Sequence, residues 1–210
     1  MNENIRREAL SKVPEVTLIF WIIKIAATTL GETGGDTVTM TLNWGYLAGS
    51  ALFLAALIGL VAAQIMAQKF HPVLYWATIV ASTTFGTTMA DFADRSLGIG
   101  YTGGSALLAI LLAATLAAWR WSEGTIDVNT VSTPRVEAFY WGAITFSQTL
   151  GTALGDWMAD SGGLGYEGGA LIFGAGLAVI AAFIIVCVLV LPQRAGTHPG
   201  EPGLAHEQRG

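Results

Sequence analysis

Charge is scarce in this chain. Asp, Glu, Lys and Arg make up 12% of its 210 residues, against roughly 25% in soluble domains. Cysteine is nearly absent. Cys187 stands alone in an apolar run, which excludes an internal disulfide and reads as a small buried hydrophobe. Histidine is equally sparse. His71, His198 and His206 all lie away from the acidic motifs, so no His/Cys cluster for zinc or copper is expected. Basic residues are outnumbered, giving a net charge of −5, which excludes the basic surface that nucleic acid selects. Nucleophile–base pairs and phosphate-binding glycine loops are missing too, so neither an enzyme nor a bound cofactor is expected.

Apolar residues are abundant, at 53%, with a mean hydropathy of +0.57. Glycine is also frequent, with 26 residues, as in membrane helices. Lipid is the solvent this composition fits. Arg6 and Arg7 before the first apolar stretch resemble a signal peptide, but no small-x-small cleavage site follows. The stretch therefore reads as a retained helix.

Aligned on three aspartates, the chain divides into three copies. Trp21, Trp76 and Trp141 lie fifteen residues before Asp36, Asp91 and Asp156. Gly31, Gly86 and Gly151 lie five before, and Thr29, Thr84 and Thr149 seven before. Tyr46, Tyr101 and Tyr166 follow ten after, each inside a Gly-x-x-x-Gly pair such as Gly45 and Gly49. Register held without a gap marks an internal repeat. Each copy reads as an apolar helix, a glycine-rich turn and a second apolar helix.

The expected fold is an all-α integral membrane protein with six transmembrane helices, near 14–36, 44–68, 72–94, 99–121, 134–160 and 164–191. A span needs ~20 residues at ~1.5 Å rise each. Pro14, Pro72 and Pro134 are placed at helix starts. The organisation is an N-terminal segment 1–11, hairpins 12–68 and 69–121, a linker 122–133, a third hairpin 134–191 and a disordered tail 192–210. Lys and Arg, including Lys12, Lys69, Arg120, Arg135, Arg194 and Arg209, crowd the side that holds both termini, while Arg95 alone marks the other. Both termini are thus expected in the cytoplasm, with the acidic turns facing outward. The Gly-x-x-x-Gly pairs read as packing stripes. Trp21, Trp76 and Trp141 read as core, and Trp44, Trp119 and Trp121 as interface anchors.

The acidic motifs carry the chemistry. Helical spacing aligns Thr29, Glu32 and Asp36, then Thr84, Thr87 and Asp91, then Thr149, Thr152 and Asp156. Asp94 and Asp160 extend two of these stripes. Three such stripes would converge on a pseudo-threefold axis. A cluster of carboxylates there must hold protons, metal ions or a basic side chain. Oxygen ligands suit hard divalent cations, so Glu32, Asp36, Asp91 and Asp156 are the expected metal ligands. Thr28 and Lys24 lie on the same face as Glu32 and Asp36, and Lys24 is too deep to snorkel. It reads as a built-in counter-ion of the transport path, or as half of a static pair with Glu32.

Across residues 12–190 these motifs resemble a family of uncharacterised bacterial multi-pass proteins built from a Gly-acid hairpin. Glu32-Thr-Gly-Gly-Asp36-Thr37 is also similar to the Glu-x-Gly-Asp motif of cation/proton exchangers that move Mn²⁺ or Ca²⁺, with one extra Gly. That likeness implies a proton-coupled Mn²⁺ exporter in the inner membrane. A cation channel, a small-molecule permease and a non-transporting assembly module stay open. The expected partners are the bilayer, a divalent cation, protons and a second copy in a homodimer.

Overall fold

The structure is a computed structural model and describes residues 11–128 and 131–190, with side chains to residue 180. The N-terminal segment with Arg6 and Arg7, the Cys187 side chain, and the tail with Arg194, His198, His206 and Arg209 lie outside the described residues. Among the described residues the fold is all-helical. The helices are α1 (Leu18–Asp36), α2 (Tyr46–Met66), α3 (Pro72–Asp91), α4 (Gly100–Glu123), α5 (Pro134–Asp156) and α6 (Gly165–Val190).

The first helix of each repeat runs directly into a five-residue π-helical turn, at Thr37–Thr41, Phe92–Ser96 and Trp157–Ser161. Backbone bonds five residues apart close these turns, such as Leu97 N–H to the Phe92 carbonyl at 3.0 Å. The wider coil re-aims side chains relative to an α-helix, a device frequent at functional sites. Gly45, Gly100 and Gly165 then reverse the chain with φ of 76°, 71° and 65°. These glycines are turn residues, which corrects their reading as half of a packing stripe. Their partners do pack: a Cβ at Gly49 or Gly104 would run into Thr39 or Asp94 of the same repeat's π-turn.

Two helix starts agree with the expected ones, since Pro72 and Pro134 open α3 and α5. The first does not. Helix α1 begins at Leu18, capped by the Thr17 hydroxyl on Phe20 N–H. The preceding chain is drawn across the bundle end instead. The Lys12 amide donates to the Val131 carbonyl at 2.9 Å, and its ammonium reaches Glu137 Oε1 at 2.6 Å.

Helices α1, α3 and α5 form the inner layer, with α3 between the other two. Each second helix packs on the next repeat's first helix and scarcely on its own: α2 on α3, and α4 on α5. Helix α6 rests mainly on its own repeat's π-turn. Polarity runs inside out. Thr78, Ser82, Thr83, Thr84, Thr87 and Thr88 of α3 are buried, while Leu47, Ile58, Ile110 and Leu171 are exposed. Two helices, Tyr46–Met66 and Gly100–Glu123, are long and apolar enough to cross a membrane.

An aromatic and apolar cluster fills the end nearest Lys12. It contains Tyr75, Ile79, Trp119, Val136, Tyr140 and Trp141, and the two tyrosine hydroxyls meet at 2.6 Å. Trp141 is core as expected, but Trp21 is 54% exposed, because α1 packs mainly on α3 and leaves its other faces open. Trp119 is buried at 2% against Phe139, so it packs the α4–α5 seam and is no interface anchor.

Candidate functional site

Small residues set the inner contacts. A Cβ on Gly31 of α1 would lie 2.8 Å from Thr83 Cβ of α3. On Gly86 of α3 it would lie 2.7 Å from Thr149 Oγ1 of α5. Gly151 is the equivalent in α5, and nothing stands within 4 Å of its Cβ position. Gly155, one turn on, is equally open. The α1–α3 and α3–α5 interfaces are therefore closed at these glycines, and the third, between α5 and α1, is open there and bridged by Lys24 on Gln148.

A cavity of about 430 Å³ occupies that gap. Helix α1 contributes Lys24, Thr28 and Glu32, the i, i+4 face read from the sequence. Helix α5 contributes Gln148, Thr152 and Asp156, together with its two open glycines. Tyr166 and Phe173 of α6 form the far wall. A larger groove of about 570 Å³ along α2 and α5 has no charged residue in its lining.

At the cavity's base Lys24 Nζ donates to Gln148 Oε1 at 3.0 Å. The Gln148 amide donates to Ser82 Oγ at 2.8 Å, and Thr83 donates to the same Gln148 oxygen. Lys24 is thus tied to α3 through Gln148 and forms no ion pair with Glu32. The equivalents of Lys24 are Ile79 and Ile144, so the charge is unique to one repeat.

The three motif aspartates do gather at one end of the bundle, around a group the sequence reading left aside. Arg95 Nε lies 2.9 Å from Asp91 Oδ1, an ion pair without hydrogen-bond alignment, since that oxygen has no hydrogen-bond partner. The same guanidinium is near enough for its charge to act on Asp36, Asp94 and Asp156. Arg95 supplies one of the three charge carriers expected for an acidic cluster, a basic side chain. Its sequence signal was its position, as the lone base on the acidic side. Among the described residues no three His, Cys, Asp or Glu side chains stand together as a metal site would require.

The remaining predicted positions scatter. Thr29 is exposed and returns its hydroxyl to the Ile25 carbonyl, and Thr28, at i+4 from Lys24, lines the cavity in its place. Thr84 and Thr149 are buried in the helix contacts, against Gly35 and Gly86. Thr87 and Thr152 approach each other at 3.4 Å, and Thr152 reaches the cavity. Asp94 is buried against Gly104, lining a separate apolar pocket. Asp160 is exposed and accepts the Tyr101 hydroxyl at 2.9 Å. Gln148, Gly151 and Tyr166 were not singled out for the site. Gln148 could have been found by register, as the equivalent of Thr28 and Thr83.

Residues 19–70, 74–125 and 139–188 each match the sequence profile of a family described as Repeat of Unknown Function (DUF347). No curated protein matches the chain, and no solved structure does.

Proposed function

The chain belongs to that three-copy repeat family, and from this premise we propose that it is a multi-pass transporter of the bacterial inner membrane, moving a small charged solute through the gap between α1 and α5. The observation that carries the reading is the cavity itself. Lys24, Glu32 and Asp156 line it, at the one inner interface the repeats leave open. Charged groups in a bilayer-sized helical bundle are costly and mark solute paths. The apolar exterior and polar interior support a lipid setting, as do two helices fit to cross a membrane. Repeat transporters commonly bind cargo at a repeat interface and open it to either side in turn. The Lys12–Glu137 pair and the aromatic cluster seal one end of the bundle, leaving the acidic end as the entrance.

A proton-coupled Mn²⁺ exporter is the second reading. It is favoured by the carboxylates of Glu32 and Asp156 and the hydroxyls of Thr28 and Thr152 on one wall system. It must contend with Arg95, which is paired with Asp91.

The test is uptake by proteoliposomes of Mn²⁺ and of a panel of labelled amines and amino acids, with and without a pH gradient. Glu32→Gln and Asp156→Asn are each expected to cut flux at least about tenfold, the value of one charge-assisted contact. Flux unchanged in both variants would put the path elsewhere. No flux of any solute would favour a non-transporting assembly module.

A further inference from the structure

The cavity is bipolar, and this decides what it can hold. Among the described residues Lys24 has one hydrogen-bond partner, Gln148, and no carboxylate within ion-pair distance. An ammonium has three donors, so two remain for a ligand. At the other pole Glu32 forms no hydrogen bond or ion pair among the described residues. Asp156 forms none either, although the Arg95 charge reaches it. A bare cation would satisfy the acids and be repelled by Lys24. A bare anion would meet the reverse. Resting on the transport reading above, we propose that the cavity takes a zwitterion, with its anionic group at Lys24 and its cationic group beside Glu32 and Asp156.

Geometry sets the length of that ligand. Lys24 and Glu32 are two helical turns apart on one face, or about 12 Å along the axis, and both side chains lean the same way. A hydrogen-bond contact takes about 3 Å at each pole. About 6 Å is left between the ligand's charges, the span of a chain of three or four methylenes. The middle of the cavity suits such a chain. Gly151, Gly155, Ala170 and Phe173 offer apolar wall, and Thr28 and Thr152 are the polar groups between the poles. The class is therefore an ω-amino carboxylate, in preference to an α-amino acid whose charges lie closer together.

Calorimetric titration of the full-length protein in detergent tests this, using glycine, 4-aminobutyrate, 5-aminopentanoate, butyrate, butylamine and Mn²⁺. Binding is expected to peak at 4-aminobutyrate or 5-aminopentanoate. Butyrate and butylamine should bind at least about tenfold more weakly, each having lost one charge-assisted contact. Lys24→Met should abolish the advantage of the zwitterion over butylamine. Equal binding of butylamine, tightest binding of glycine, or binding of Mn²⁺ alone would each overturn the proposal. Flux distinguishes its failure from that of the transport reading. Cation flux without zwitterion binding removes this ligand class and keeps a transporter, whereas zwitterion binding without flux keeps the class and removes transport.

Discussion

Lys12→Met is expected to lower the stability of the protein by about 3–5 kcal/mol, the cost of stranding one member of a buried ion pair. Glu137 is 1% exposed and Lys12 7%, so water does little to screen them. Lys12 also donates to the carbonyls of Gln64 and Ile65 at 3.0 and 3.3 Å. One ammonium thus joins the entering chain, the end of α2 and the start of α5. Its removal leaves Glu137 charged in an apolar enclosure, where its second oxygen already lacks a partner. The double variant Lys12→Met/Glu137→Gln should recover most of the loss, because two neutral groups carry no desolvation penalty for charge. Thermal unfolding in detergent reads both. A single variant as stable as the wild type would show that the pair is not buried. A double variant no better than the single would show that packing, not charge, holds the seal.

Two glycines at equivalent positions should respond with opposite sign. Gly86→Ala forces a Cβ to 2.7 Å from Thr149 Oγ1 and 3.2 Å from the Thr149 nitrogen. The hydroxyl cannot rotate away freely, since it donates to the Thr145 carbonyl at 2.8 Å. Overpacking of this kind costs about 1–3 kcal/mol. Gly151→Ala meets open space and should stabilise the helix by about 0.5–1 kcal/mol through backbone entropy. Function should rank the other way. If the open interface must close on the cargo during transport, Gly151→Leu will fill the cavity and cut flux at least about tenfold with stability retained. Normal flux in a folded Gly151→Leu protein would mean that α1 and α5 never approach. Stability measured by unfolding and flux measured in liposomes separate the two effects.

The repeats, the hairpin order and the helix character were legible because they rest on local pattern. Fifteen-residue register from Trp to Asp needs no tertiary information, and Pro72 and Pro134 mark helix starts by their missing N–H. Pro14 misled because Lys12, two residues earlier, has a long-range partner that pulls its segment off the helix axis. The face Lys24, Thr28 and Glu32 was also readable, from a period of four. What the pattern could not supply was how the copies pack. Threefold register suggests threefold closure, and the convergence of the three stripes on one axis followed from that assumption. The open third interface depends on contacts far apart in sequence. Arg95 illustrates the same limit, because its sequence position names its side of the bundle but not the four aspartates its charge reaches.

Each motif aspartate occurs three times, but Arg95 and Lys24 occur once. That inequality has a consequence for how such a protein could be built. A ring of three identical hairpins would repeat every charge three times, placing three guanidinium groups where one now stands. Symmetric assembly admits no exceptions among its subunits. One arginine per three aspartates, and one ammonium per three repeats, need three copies that are free to differ. Covalent fusion into a single chain provides that freedom, so this charge stoichiometry is one that no homotrimer of a single hairpin could reach.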